Sequence, residues 1–130
     1  MFFTSINLFS QTNLKRDSFF LPHKAFPTNY KAIVGDPKGW RVIGHYNVYT
    51  EKVDLKFSSW DTLSVYTPFK DKTMFAKIRG HKIVGRGDKR VVYKIIYVDE
   101  TTLILQYKQT EKIHKKNRQV IIRTLYRRRT

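Results

Sequence analysis

From Gly39 onward, apolar and polar residues alternate with a period of two. That is the signature of a strand, in which successive side chains face opposite sides of a sheet. Trp40, Val42, Gly44, Tyr46 and Val48 fall on one side of the first run, with Arg41, His45 and Asn47 on the other. Val53, Leu55 and Phe57 then alternate with Asp54, Lys56 and Ser58. Ser59-Trp60-Asp61 reads as a turn, after which Leu63, Val65, Thr67 and Phe69 alternate with Ser64 and Tyr66 until Pro68 weakens the ladder. Residues 74–79 are shorter and less regular. Gly80 and the cluster Gly85-Arg86-Gly87-Asp88 punctuate two hairpins, with strands at 81–84 and 89–98. Asp99-Glu100 turns the chain into 101–108, and 119–127 supplies a last run with Val120, Ile122, Thr124 and Tyr126 on one side.

About eight short strands at close spacing, with no helix of ordinary length, predict an all-β fold. The expected architecture is a small antiparallel meander barrel, because closure removes the exposed edges that would let so β-rich a chain aggregate. The domain spans 38–130 and ends in a basic C-terminal tail. Residues 1–37 read differently. Scattered aromatics (Phe2, Phe3, Phe9, Phe19, Phe20, Phe26, Tyr30) and turn formers (Pro22, Pro27, Asn29) follow no sustained period. This segment is expected to be an extended arm whose aromatics anchor on its own barrel or on a neighbour. A mitochondrial targeting segment is the alternative, since Lys15 and Arg16 are basic and no acid precedes Asp17.

Gly39-Trp40 at the first strand, Leu55-Lys56-Phe57 before a turn, and the stretch from Tyr93 to Lys108 occur in an order that resembles small lipocalin-like barrels over residues 39–129. That resemblance implies a first-strand Trp, here Trp40, closing one barrel end beneath an Arg of the last strand, here Arg127 or Arg128. The usual Gly, any residue, Trp spacing is not kept, because Gly39 directly precedes Trp40. An eight-stranded barrel either fills with side chains or holds one small ligand, and Trp40, Tyr46, Phe57, Phe69, Tyr93 and Leu105 supply bulk enough to fill it.

The chain carries 26 Lys and Arg against 10 acids within 130 residues, a formal charge of +16. Its distribution is uneven: residues 77–130 hold 16 of those cations but only 4 of the acids. A folded half with that surplus repels itself unless a polyanion neutralises it, and nucleic-acid backbone is the commonest such partner. Arg79, Lys82, Arg86, Lys89 and Arg90 bracket glycines that free backbone amides for phosphate. A second group, Lys112, Lys115, Lys116 and Arg118 with neighbouring Lys108, could lie on a helical turn or in a loose loop, and it continues into Arg127, Arg128 and Arg129. Tyr49, Tyr66, Tyr97 and Tyr107 are candidates for stacking on bases.

Other chemistry finds little footing. There is no Cys, and so neither a disulfide nor a thiolate nucleophile. His23, His45, His81 and His114 lack metal-ligand spacing. Asp54, Asp61, Asp88, Asp99 and Glu100 sit where turn formers sit, and no phosphate-binding loop is spelled out. The expectation is a non-catalytic protein without cofactor or metal that binds RNA or another polyanion. The favoured setting is a structural role beside neighbouring proteins in a ribonucleoprotein such as an organellar ribosome. The abundance of Lys, Ile, Phe and Tyr over Ala, as in AT-rich coding, is a bias that organelles, endosymbionts and many viruses share, and of these a mitochondrion or plastid is the favoured setting. The rival expectations are a binding module for a small hydrophobic ligand, and an accessory subunit of a protein or membrane complex.

Overall fold

A computed structural model describes residues 14–22, 24–55, 65–66, 76–85 and 92–129. These are mostly strand: Trp40–Asn47 (β1), Lys52–Leu55 (β2), Val65–Tyr66 (β3), Ala76–Arg79 (β4), Lys82–Gly85 (β5), Val92–Val98 (β6), Thr102–Ile113 (β7) and Lys116–Arg128 (β8). They form one sheet in the order β2-β1-β8-β7-β6-β5-β4-β3. Seven strands pair antiparallel, while β3 adds two residues in parallel to β4. The chain is therefore all-β. Its first long strand lies beside its last, and the two ends of the sheet are β2 and β3, which have no ladder between them among the described residues.

Both faces of this sheet are buried over part of their area. The face carrying Leu103 and Leu105, called here the Leu105 face, packs Trp40, Ile78, Ile83, Ile95 and Val98 into one cluster. A short helix, Tyr30–Val34 (α1), caps that cluster with Ile33 and Val34. Pro27, Thr28 and Asn29 start the helix with a turn, Tyr30 N–H donating to the Pro27 carbonyl at 3.0 Å, and Gly35 follows its last residue. The Trp40 indole N–H donates to the Val34 carbonyl at 3.1 Å, satisfying a polar group that would otherwise be buried unpaired.

The opposite face, carrying Ile104 and Leu125, is covered by the N-terminal segment. Phe19 is fully buried there, stacked on Tyr46 at 5.6 Å between ring centroids, and Phe20 meets the same ring edge-on at 5.4 Å. Arg123 fastens this cover: its guanidinium donates to the Phe19 carbonyl at 2.9 Å and to Gln106 Oε1 at 2.8 Å. The described residues of 14–37 contain a 3-10 turn (Arg16–Phe19) and α1, both supplying core residues, and Phe19, Phe20 and Phe26 pack against the sheet.

Two bulges correct the simple alternation read from the sequence. The β1–β8 register shifts between Val42 and Gly44, so Trp40 and Val42 lie on the Leu105 face while Gly44 and Tyr46 lie on the Ile104 face. A bulge inserts one residue and inverts the phase of everything after it. The same occurs in β6 between Ile95 and Tyr97, which lets Ile95 and Val98 both reach the Leu105 cluster.

Candidate nucleic-acid interface

Cross-strand pairing decides which cations share a face, because directly paired residues project to the same side. Arg79 pairs with Lys82, Lys82 with Lys94, Lys94 with Gln106, and Gln106 with Arg123. Arg79, Lys82 and Lys94 thus stand in an exposed row across three adjacent strands on the Ile104 face. Two residues further along β7, on that same face, comes Lys108, and four beyond it Lys112. Both are exposed. Among the described residues of β4 to β8, no Asp or Glu lies on this face: Glu111, the acid within those strands, is on the Leu105 face, paired with Arg118.

Like charges placed directly across a ladder destabilise it, by on the order of 0.5–1 kcal/mol per neighbouring pair in water. Among the described residues, none of Arg79, Lys82, Lys94, Lys108 and Lys112 is ion-paired with a carboxylate. Each is exposed to solvent.

The hairpin from Tyr107 to Ile121 projects past its neighbours. β6 follows β7 only as far as Gln106, and β1 follows β8 only back to Asn47 opposite Ile122. Beyond those points, among the described residues, β7 and β8 pair with each other as a two-stranded ribbon, with the Val48 amide donating to the Ile121 carbonyl at its base at 2.8 Å. Its tip is a two-residue turn in which both residues are left-handed, His114 at φ 52° and Lys115 at φ 64°. A turn of that geometry matches the right-handed twist of the flanking strands. The ribbon carries Lys108, Lys112, Lys115, Lys116 and Arg118 against Glu111. The helical turn or loose loop weighed from the sequence is thus a strand pair, with Lys112 on the Ile104 face, Lys116 and Arg118 on the other, and Lys115 at the tip.

The three arginines near the C-terminus form no free tail. Arg127 and Arg128 belong to β8, and Arg127 donates to Thr102 Oγ1 at 3.0 Å. Arg128, opposite Trp40 in the ladder, holds Asp36 at 2.8 Å and Glu100 at 3.0 Å. The backbone N–H of Arg129 donates to the Gly39 carbonyl at 3.1 Å. Burial works against the charge on Asp36, yet the Lys38 amide, the Arg128 guanidinium and their positive charge outweigh it and hold the carboxyl below its ordinary 3.8. Arg127 also lies ten ladder positions from Lys112, about 33 Å along the strand. The single contiguous set of cations expected from the sequence is therefore divided: Arg79, Lys82 and Lys112 come together, and Arg127, Arg128 and Arg129 stand apart in structural contacts. Arg86, Lys89 and Arg90 lie outside the described residues. Lys94, missed in the sequence because it sits within an apolar strand, completes the row; its alternation with Tyr93 and Ile95 was the available signal.

Of the aromatic candidates, Tyr107 meets Tyr93 edge-on at 5.3 Å on the Leu105 face, and Tyr97 donates to Asp99 Oδ2 at 2.7 Å. The side chain of Tyr66 lies outside the description. Tyr49 differs from these, being 52% exposed at the β1–β2 turn. Among the described residues no helix is long and apolar enough to cross a membrane. No protein-family model, curated protein or solved structure matches this chain.

Proposed function

We propose that the protein is a non-catalytic RNA-binding protein of a ribonucleoprotein, docking phosphate backbone on the Ile104 face of β4 to β8. The observation that carries this reading is the row Arg79, Lys82, Lys94, continued by Lys108 and Lys112, on the face of β4 to β8 where the described residues of those strands place no Asp or Glu. Polyphosphate relieves the repulsion along that row and releases its own condensed counterions in doing so. The ribbon extends the reach of the surface, with Lys115 and Lys116 at its tip.

The scaffold in this reading is a small barrel of lipocalin-like kind, antiparallel except at β3, which departs from a meander by running parallel to β4. The strand order supports it, since β1 lies beside both β2 and β8 and, among the described residues, the join left to make is between β2 and β3, which are consecutive in the chain. The Leu105 face would then be the interior, filled by Trp40, Ile95, Leu103 and Leu105, and the cationic face the outside.

Salt titration tests the function. Affinity for RNA is expected to fall by orders of magnitude between about 50 and 200 mM salt. The triple variant Arg79→Gln, Lys82→Gln, Lys94→Gln should flatten the log–log slope by roughly 2–3, at about 0.7–0.9 per lost phosphate contact. Absent or salt-independent binding, or an unchanged slope in the variant, overturns the reading.

A further inference from the structure

On the Ile104 face, where the ribbon leaves the sheet, Val48, Tyr49, Gln119 and Ile121 line an open groove of about 310 Å³. Its floor is apolar and its wall is an exposed aromatic ring, a combination a folded protein ordinarily buries. The turn that presents Tyr49 is held firmly. Asn47 Oδ1 accepts from the Tyr49 amide at 2.8 Å and from the Thr50 amide at 3.0 Å, and the Glu51 amide donates to the Asn47 carbonyl at 2.7 Å. Glu51 takes a left-handed φ of 60° to complete it. A ring fixed in this way loses little freedom when something stacks on it.

The groove adjoins the cations. Lys108 is the ladder partner of Ile121, and Val92, 43% exposed, follows on the next strand on the same face. Lys94 lies two residues along from Val92, and Lys112 four residues along from Lys108. An apolar and aromatic strip is thus edged by ammonium groups. That arrangement matches a single-stranded chain, whose phosphates track positive charge while its bases seek ring faces. A duplex keeps its bases stacked internally and offers the strip nothing.

Resting on the RNA-binding reading, we infer that the Tyr49 groove seats one unpaired nucleobase of single-stranded RNA, stacked against the Tyr49 ring over Val48 and Ile121, with the adjoining phosphates on Lys108 and Lys112. The volume, near the lower end for small-ligand sites, suits one base and not an extended stack.

Binding of a short single-stranded RNA, its fully paired duplex, and inorganic polyphosphate to the intact chain separates the possibilities. Tyr49→Ala should weaken single-stranded RNA roughly ten- to hundredfold, leave polyphosphate unchanged and preserve the salt slope. Tyr49→Phe, which keeps the ring, should restore affinity to within about threefold of the original. Because Tyr49 is exposed, a melting temperature unchanged by either variant shows that the fold is intact. If single-stranded RNA binds the original chain with a steep salt slope while Tyr49→Ala binds equally well, or if duplex binds as tightly as single strand, the groove assignment falls and the cationic face stands. If neither RNA form binds, the functional reading itself falls. Single-stranded DNA binding as tightly as RNA would retain the stacking and overturn the choice of RNA.

Discussion

Replacing Arg128 by Met should damage the fold and leave polyanion binding intact. The guanidinium is 20% exposed and its partner Asp36 11% exposed, so the pair lies mostly out of water. Removing one member of such a pair leaves the other buried and uncompensated, at a cost of about 3–5 kcal/mol when burial is complete. Here Asp36 keeps the Lys38 amide at 2.9 Å and some solvent, which places the expected loss nearer 3 kcal/mol. Against a total stability of about 5–15 kcal/mol this is a large fraction, and it should lower the melting temperature by about 10 °C. Urea unfolding across pH gives an independent readout through Asp36→Asn. The folded-state pKa of Asp36 is below its unfolded value of 3.8, so the native state binds fewer protons there. Its contribution is full above that value and is lost as pH falls through the lower, folded pKa. The gap between the original chain and Asp36→Asn should therefore be widest near neutrality and narrow below pH 3.8. An Arg128→Met protein that melts within about 2 °C of the original, yet loses as much RNA affinity and salt slope as the Arg79, Lys82, Lys94 variant, would refute the structural assignment.

Two further substitutions probe the scaffold. A Cβ on Gly44 would sit 2.7 Å from Leu14 Cδ2 and 2.9 Å from the Asp54 carbonyl oxygen, so Gly44→Ala should destabilise by about 1–3 kcal/mol in denaturant unfolding, and an unchanged midpoint would deny the close approach of β2. Replacing His114-Lys115 by Asn-Gly suits the left-handed turn and should stabilise the ribbon by about 1–2 kcal/mol, read as slower amide exchange at Lys112 and Asn117; exchange that quickens there would contradict the turn geometry.

The alternation from Gly39 onward made the fold class and most strands legible, because period two is a direct consequence of the pleat. What the sequence hid has identifiable causes. The bulges at Val42/Gly44 and at Ile95/Tyr97 invert the phase without leaving a break in hydrophobicity, so Tyr46 and Trp40 looked like neighbours on one face. The ribbon was hidden because residues 109–119 face solvent on both sides and have no apolar side to alternate with. Phe19, Ile33 and Val34 reach the core from segments too short to show a period of their own. For the cations, composition named a sign and a region but could not name partners. Only the ladder register shows that Lys94 stands between Lys82 and Gln106, and that Arg128 faces Trp40 within reach of Asp36.

That register also explains why some cations are neutralised and others are not. Pairing the last strand with the first brings Arg128 to the turns around Asp36 and Glu100, where carboxylates are concentrated and Arg127 and Arg129 find backbone or hydroxyl acceptors. Among the described residues, the Arg79, Lys82, Lys94 row has no such neighbours. The N-terminal segment crosses the Ile104 face over Tyr46 and Arg123, places Lys24 5.4 Å above the Tyr97 ring and then meets the β4–β5 turn. There the Phe26 ring lies 4.0 Å from the His81 ring and the Tyr30 hydroxyl donates to the Gly80 carbonyl at 2.7 Å, yet Arg79, Lys82 and Lys94 stay exposed. Strands β4 to β6 therefore combine three conditions: adjacent like charges, exposed cationic side chains, and no acid within a ladder step among the described residues. Cations left in that state gain more from a phosphate chain than paired ones do, since no existing ion pair has to be broken first. The cationic row and the fold's electrostatic lock can thus be built from the same residue types without competing, because strand pairing sets Lys94, opposite Gln106, four ladder steps or about 13 Å along the strands from the Thr102–Arg127 pair.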